Sequence, residues 1–174
     1  MEAARSGIPD AWTELVRRFV KPVHALCLRF VRNGAEAEDA CQEVFVRLIQ
    51  GISLYERTGR FAPWLFRLAA NVCRNHLRSS GRRREREILT ASDPEPVANP
   101  ASEAERREAV VQLKDIIDSL PELYSVPMWL KFQQGFTNEE ISQVLELPSS
   151  SVRVVLFRAL SMVRDRAYSG RQPS

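Results

Sequence analysis

Apolar residues recur every three or four positions along most of the chain, which is the spacing of one face of an α-helix. The first such face, in residues 11–31, consists of Trp12, Leu15, Val16, Phe19, Val23, Leu26, Cys27 and Phe30. We expect a long core helix here, which Pro22 should kink or split in two because proline interrupts helical hydrogen bonding.

Two more helical faces follow in the first half of the chain. After the break at Asn33-Gly34, the second face consists of Ala37, Ala40, Cys41, Val44, Phe45, Leu48 and Ile49. After a predicted loop over residues 51–59, the third consists of Phe61, Trp64, Leu65, Leu68, Ala69, Val72 and Leu77. No segment shows the alternation of a convincing strand, so the pattern predicts an all-α fold.

The pattern stops between residues 79 and 104, where prolines, serines and alanines replace apolar positions. Such a composition is typical of a flexible linker. We therefore predict two small helical domains, residues 1–84 and 105–174, joined by a linker over residues 85–104.

The second domain begins with a predicted helix over residues 106–119, with Val110, Leu113, Ile116, Ile117 and Leu120 facing inward. Pro121 should be the first residue of the next helix, because proline lacks the N–H that this position leaves unused. That helix contains Pro127, and Gly135 is a suitable C-terminal cap.

Residues 137–166 have the form of a helix-turn-helix. Thr137 and Glu140 match a capping box, which predicts a helix start, and Leu147-Pro148 ends that helix. One of the three serines that follow can cap a second helix. Its predicted buried side consists of Val152, Leu156, Ala159, Leu160 and Val163. Its outward face carries Arg153, Val154, Phe157 and Arg158, which suits a DNA major groove, although a helical hairpin with solvated arginines is the alternative.

Composition excludes several classes of function. The net charge of +3 over 174 residues is modest, so any binding of nucleic acid depends on local clusters. We found no glycine-rich phosphate loop, nucleophile elbow or zinc spacing, so no motif points to a cofactor or a metal. Catalysis by side chains that the fold alone brings together stays open at this point, but nothing in the sequence points to it. The three cysteines are expected to be buried thiols. No apolar run could span a bilayer and no signal peptide begins the chain, which favours a cytoplasmic protein.

One acidic cluster lies on the predicted second helix: Glu36, Glu38, Asp39, Gln42 and Glu43. Acidic residues near a helix N-terminus are favourable against the helix dipole. Since Gln42 and Glu43 lie further along, a docking surface for a basic partner is at least as good an explanation.

A basic cluster follows between residues 57 and 84, which contain eight arginines and no acidic residue. The interleaved aromatic and amide side chains are Phe61, Trp64, Phe66, Asn71, Asn75 and His76. Arginines neutralise phosphates, aromatic rings stack on bases and amides bond base edges, so this combination predicts a site for single-stranded nucleic acid.

Four segments in this order resemble one family, the bacterial RNA polymerase sigma factors of the extracytoplasmic-function type, which keep only the second and fourth sigma domains. They are AWTELVRRF, AEAEDACQEVFVRL, GRFAPWLFRLAANVCRNHLR and LPELYSVPMWLKFQQGFTNEEISQVLELPSSSVRVVLFRAL. The resemblance implies a promoter-recognition subunit, not an enzyme, whose partners are core RNA polymerase, promoter DNA and an anti-sigma factor. Contacts with the polymerase would be to its beta-prime coiled coil and its beta flap.

The resemblance also implies roles for individual residues. Core polymerase binding would fall to Asp39, Gln42 and Glu43. The minus-10 element would be opened and one flipped base held by Arg60, Phe61, Trp64, Arg67, Asn71 and Asn75, with residues 55–59 as the pocket wall. The linker would follow the polymerase's RNA exit path.

The minus-35 element would be read as duplex by Ser150, Ser151, Arg153, Val154, Phe157 and Arg158. Many family members have a lysine-serine-arginine run where this chain has Arg153-Val154-Val155, so either Val154 contacts a thymine methyl or the minus-35 binding is weak. Two alternatives compete with a sigma factor. They are a helix-turn-helix regulator that binds duplex without polymerase, and a helical interaction protein whose arginines hold an acidic partner.

Overall fold

The computed structural model describes residues 9–52, 55, 60–79 and 113–169, and these residues form seven helices and no strand. The all-α prediction is confirmed for this part of the chain. The described helices fall into two compact units, the first with the three helices before residue 80 and the second with most of the residues after 112. The predicted linker, residues 85–104, lies outside the described residues.

The first unit consists of α1 (Pro9–Val31), α2 (Gly34–Gly51) and α3 (Phe61–Ser79), and each helix packs against the other two. The centre of the core is fully buried and apolar: Val23, Leu26, Val44, Leu48, Leu65, Phe66 and Val72. Phe66, which the sequence placed among the candidate stacking residues, is therefore a core residue.

Local signals decide where these helices begin and end. The Asn33 side chain caps α2, because its Oδ1 accepts from the Glu36 N–H at 3.2 Å. Arg32 has a left-handed φ of 54°, which reverses the chain between α1 and α2. Pro22 lies inside α1 without splitting it, so the helix is one continuous element.

The second unit consists of α4 (residues 113–119), α5 (Glu122–Phe132), α6 (Asn138–Leu145) and α7 (Ser149–Ser169). Residues 124–130 of α5 are all buried, Pro127 included, so this helix forms the centre of the unit. Pro121 precedes α5 instead of starting it. Gly135 has a φ of +66°, and just beyond it the Phe136 N–H bonds the Leu130 carbonyl at 3.0 Å, which confirms the predicted glycine stop.

Four residues that the pattern placed on buried faces are exposed. Their exposed fractions are 38% for Val16, 61% for Ile49, 43% for Leu113 and 47% for Leu160. Ile49 and Leu160 lie at the edges of their apolar stripes, whereas Val16 and Leu113 lie within theirs. Because small units of three or four helices cover only the middle of such a stripe, its edge stays in solvent.

Candidate nucleic-acid and protein interfaces

The turn between α6 and α7 is built as the sequence predicted. The Glu140 N–H bonds the Thr137 Oγ1 at 3.1 Å, and the Glu140 carboxylate accepts from the Thr137 N–H at 2.8 Å. Helix α6 ends at Leu145, and Glu146 then adopts a left-handed φ of 55°. These features confirm the capping box and the stop before Pro148.

The start of α7 differs by one position from the expected serine cap. The helix already includes Ser149, and the Pro148 carbonyl accepts from the Val152 N–H at 3.1 Å. Proline thus occupies the position before the helix, and the three serines lie in its first turn. Their side chains are available to a ligand instead of being committed to a cap, since Ser150 is exposed and Ser151 half-buried.

The outward face of α7 brings together the predicted minus-35 residues. Arg153 is exposed, Val154 and Phe157 are 49% and 38% exposed, and Arg158 is half-buried. The opposite side is buried through Val152, Leu156, Ala159 and Val163. The helix therefore offers a mixed face on which two cations stand beside two apolar groups, as a surface for phosphates and thymine methyls requires.

The far end of α7 is tied to α4 by a bond that the sequence pattern did not predict. The Arg166 guanidinium donates to the Ser119 hydroxyl at 2.6 Å, and that hydroxyl donates to the Ile116 carbonyl at 2.7 Å. Helix α7 is thus held at its C-terminal end, beyond the predicted DNA-facing turns.

An aromatic cluster marks the start of α3. Tyr55 is buried, and its ring centroid lies 5.4 Å from Phe61 and 5.1 Å from Trp64, while Phe61 and Trp64 are 5.6 Å apart. Phe19 of α1 packs edge-on against Phe61 at 5.4 Å. Phe61 and Trp64 are half-buried, so part of each side chain is accessible to solvent. Residues 56–59, the rest of the predicted pocket wall, lie outside the described residues.

A polar row follows the aromatic cluster along α3. Arg67, Asn71 and Asn75 are spaced by four residues and so share one helix face. Arg67 and Asn75 are exposed, as is Arg60 just before the helix. Asn71 is half-buried, and its Oδ1 accepts from the Arg74 guanidinium at 2.6 Å. Sequence reasoning left Arg74 out of the site, although its spacing of three from Asn71 was a usable signal.

The predicted docking residues of α2 are of two kinds. Asp39 and Gln42 are exposed, whereas Glu43 is half-buried and turned toward α3. One Glu43 carboxylate oxygen lies 2.6 Å from the His76 Nε2, and the other lies 2.5 Å from the Arg47 guanidinium. The hydrogen bond with His76, followed by the charge of Arg47, lowers the pKa of Glu43 below its usual value.

A groove of about 740 Å³ runs between α1 and α2, beside Gln42. Its apolar lining comes from Val16, Val20, Phe45 and Val46. Sequence reasoning missed this groove, because it assigned Val16 and Phe45 to buried faces. Val46, whose side chain is 53% exposed, is part of the same open surface.

The cysteines are free and buried, as predicted. A hydrogen bond with Cys73 and burial together raise the pKa of Cys27, and burial raises the pKa of Cys41 to about 11. Within the described ranges, no three histidine, cysteine or carboxylate side chains could hold a metal ion together. The same ranges contain no helix long and apolar enough to cross a membrane.

The chain is similar to known proteins over both units. The family model for Sigma-70 region 2 matches residues 15–83, and the model for Sigma-70 region 4 matches residues 111–163. The RNA polymerase sigma factor CarQ of Myxococcus xanthus is 31% identical over 168 residues, which cover 95% of this chain and 94% of CarQ. The ECF RNA polymerase sigma-E factor of Haemophilus influenzae is 29% identical over 175 residues, which cover 95% of this chain and 92% of that protein.

A solved structure shares the fold. It is the sigma factor RpoE of Bartonella quintana in complex with the anti-sigma factor NepR, which superimposes with a TM-score of 0.65 at 14% identity and covers 89% of this chain and 95% of its own. The family models account for the helices of both units, and the CarQ identity extends over nearly the whole sequence. The chain belongs to the RNA polymerase sigma factors of the extracytoplasmic-function type.

Proposed function

We propose how the work of a sigma factor is divided over the surfaces of this chain. As a sigma factor it binds core RNA polymerase and directs promoter recognition, DNA opening and transcription initiation. The observation that carries the assignment is that each matched region coincides with a unit presenting an exposed cationic face, α3 in one and α7 in the other. The chain acts as a non-catalytic subunit, in the cytoplasm where the polymerase works.

Polymerase docking uses α2 in this proposal. Asp39 and Gln42 are exposed and one turn apart, so both can bond a basic helix at once. This matches the docking surface for the beta-prime coiled coil that the family resemblance implies. The second unit would then contact the beta flap.

Opening of the minus-10 element uses the start and the polar row of α3. Phe61 and Trp64, which are partly accessible, would stack on an unpaired base, and Arg67, Asn71 and Asn75 would contact the neighbouring nucleotides. Flipping a base costs a few kcal/mol, which stacking at about 1–3 kcal/mol per base can offset. Arg60 supplies an exposed cation at the point of entry.

Reading of the minus-35 element uses the first turns of α7. Ser150, Ser151 and Arg153 reach toward phosphates or base edges, Phe157 and Arg158 follow one turn later, and Val154 contacts a thymine methyl. Since Val154 and Val155 carry no polar group, we expect this contact to be weak without the polymerase as a tether.

An anti-sigma factor regulates the chain in this proposal. Support comes from the Bartonella quintana sigma factor, which was solved with the anti-sigma factor NepR. A partner of this kind would have to cover the docking face of α2 or the DNA faces of α3 and α7 to prevent initiation.

Reconstitution tests the function directly. Purified chain added to core RNA polymerase should give transcripts with defined start sites from a genomic DNA library, and core enzyme alone should not. Failure of the chain to bind core enzyme would refute the proposal. Tight, sequence-specific binding to duplex DNA without polymerase would favour a helix-turn-helix regulator that acts alone.

The docking assignment is tested by Asp39→Arg, which places a cation where a basic partner is expected. We expect at least tenfold weaker binding to core enzyme with unchanged unfolding stability, because the side chain is exposed. Glu14→Arg is the matched control, since Glu14 is an exposed carboxylate on α1. It accepts two hydrogen bonds of 2.8 Å from Arg17, a neighbour on the same helix. Equal core affinity for Asp39→Arg and the control would take Asp39 out of the docking surface.

A further inference from the structure

Glu43 lies on the proposed docking helix, but its carboxylate is used inside the first unit. We infer that Glu43 is a positioning residue which, with His76, holds the DNA-opening helix α3 in place on the polymerase-docking helix α2. This inference rests on the proposed function of the two helices. It removes Glu43 from the polymerase contacts that the family resemblance implied.

Both oxygens of the Glu43 carboxylate already have partners within the first unit. Its two oxygens lie 2.6 Å from the His76 Nε2 and 2.5 Å from the Arg47 guanidinium. The Glu43 side chain is 35% exposed and the His76 side chain 29%, so the bond is partly shielded from water. A basic group of the polymerase would have to share this carboxylate with His76 and Arg47, whereas Asp39 and Gln42 are exposed on the surface of α2.

The position of His76 explains why such a bond matters for DNA opening. His76 directly follows Asn75, the last residue of the polar row on α3. The buried part of the contact between α2 and α3 includes the apolar residues Val44, Leu48 and Val72. Apolar packing is non-directional, so a directional polar bond at the rim can help to fix the rotation of one helix on the other. Docking through α2 then sets where the polar row meets the DNA.

A double-mutant cycle separates positioning from docking. Glu43→Ala, His76→Ala and the double variant are compared in the full chain, with His76→Gln as the conservative variant that can still donate a hydrogen bond to Glu43. For each, core affinity is measured with a fluorescent chain. The rate of open-complex formation is measured at saturating core enzyme, on a promoter obtained by in vitro selection with the wild-type holoenzyme. Rates are corrected for the folded fraction of each variant.

We expect each alanine variant to slow promoter opening by between about threefold and tenfold, the range of a hydrogen bond to a charged group reduced by partial exposure. Core affinity should stay within about twofold of wild type. The double variant should be no slower than either single variant, because both remove the same bond, and His76→Gln should recover most of the rate.

Two results would overturn the inference. In the first, Glu43→Ala weakens core binding while His76→Ala does not, which makes Glu43 a direct contact. In the second, core affinity and opening fall together in proportion to the folded fraction, which makes the bond merely stabilising. If the wild-type holoenzyme opened no promoter at all, the proposed function itself would be wrong.

Discussion

The two hydrogen bonds of the capping box before α6 allow us to predict how much a substitution of Thr137 lowers the free energy of unfolding. Thr137→Ala removes the oxygen that accepts from the Glu140 N–H at 3.1 Å, and leaves the reciprocal bond from the Thr137 N–H at 2.8 Å in place. Loss of such a cap costs about 0.5–2 kcal/mol. Thr137 is exposed, so water can replace the lost acceptor, and we expect about 1 kcal/mol, a roughly fivefold fall in the ratio of folded to unfolded second unit.

The assay uses Trp129, which is only 3% exposed in the second unit. Trp12 and Trp64 of the first unit are replaced by phenylalanine so that the fluorescence during guanidinium unfolding comes from Trp129 alone. Thr137→Ser is the control, since it keeps the hydroxyl and should cost much less. A loss below about 0.3 kcal/mol for Thr137→Ala, or an equal loss for serine, would refute the role of the hydroxyl.

Two further predictions concern titratable groups of the first unit. Because the pKa of Glu43 is lowered by folding, its ionised form stabilises the native state above its unfolded pKa of about 4.5, and this contribution disappears as the pH falls through the lower folded value. In guanidinium titrations the stability difference between wild type and Glu43→Gln should therefore be present at neutral pH and shrink as the pH falls below about 4.5, and a difference that does not shrink in acid would contradict the assignment. The three buried thiols should react with Ellman's reagent only after unfolding, because burial keeps the reagent out. For Cys27 and Cys41 the raised pKa also suppresses the thiolate, which is the reactive form. Rapid reaction of any thiol in the native chain would contradict this prediction, because it would show that the reagent reaches that cysteine without unfolding.

Much of the architecture is determined by local sequence. The helical spacing of apolar residues, the Asn33-Gly34 break, the capping box at Thr137 and the stop before Pro148 all act within one turn of the chain. They were therefore predictable, as were the exposed Arg153 and Val154 and the burial of the three cysteines. The four motifs were also enough to point to the sigma-factor family.

Only the tertiary structure decided which parts of each stripe are covered. Val16 and Ile49 fit a buried face by spacing, but the neighbouring helices do not reach them, and their exposure creates open apolar surface on α1 and α2. Likewise, the sequence placed Glu43 beside Asp39 on one acidic surface. The positioning role that we propose for it depends on His76, which lies 33 residues away in sequence and 2.6 Å away in space. Helical periodicity indicates which face a residue occupies, but packing decides which residue of the neighbouring helix it meets. That packing gives Glu43 a partner on α3, while Asp39 and Gln42, for which we propose docking, stay exposed.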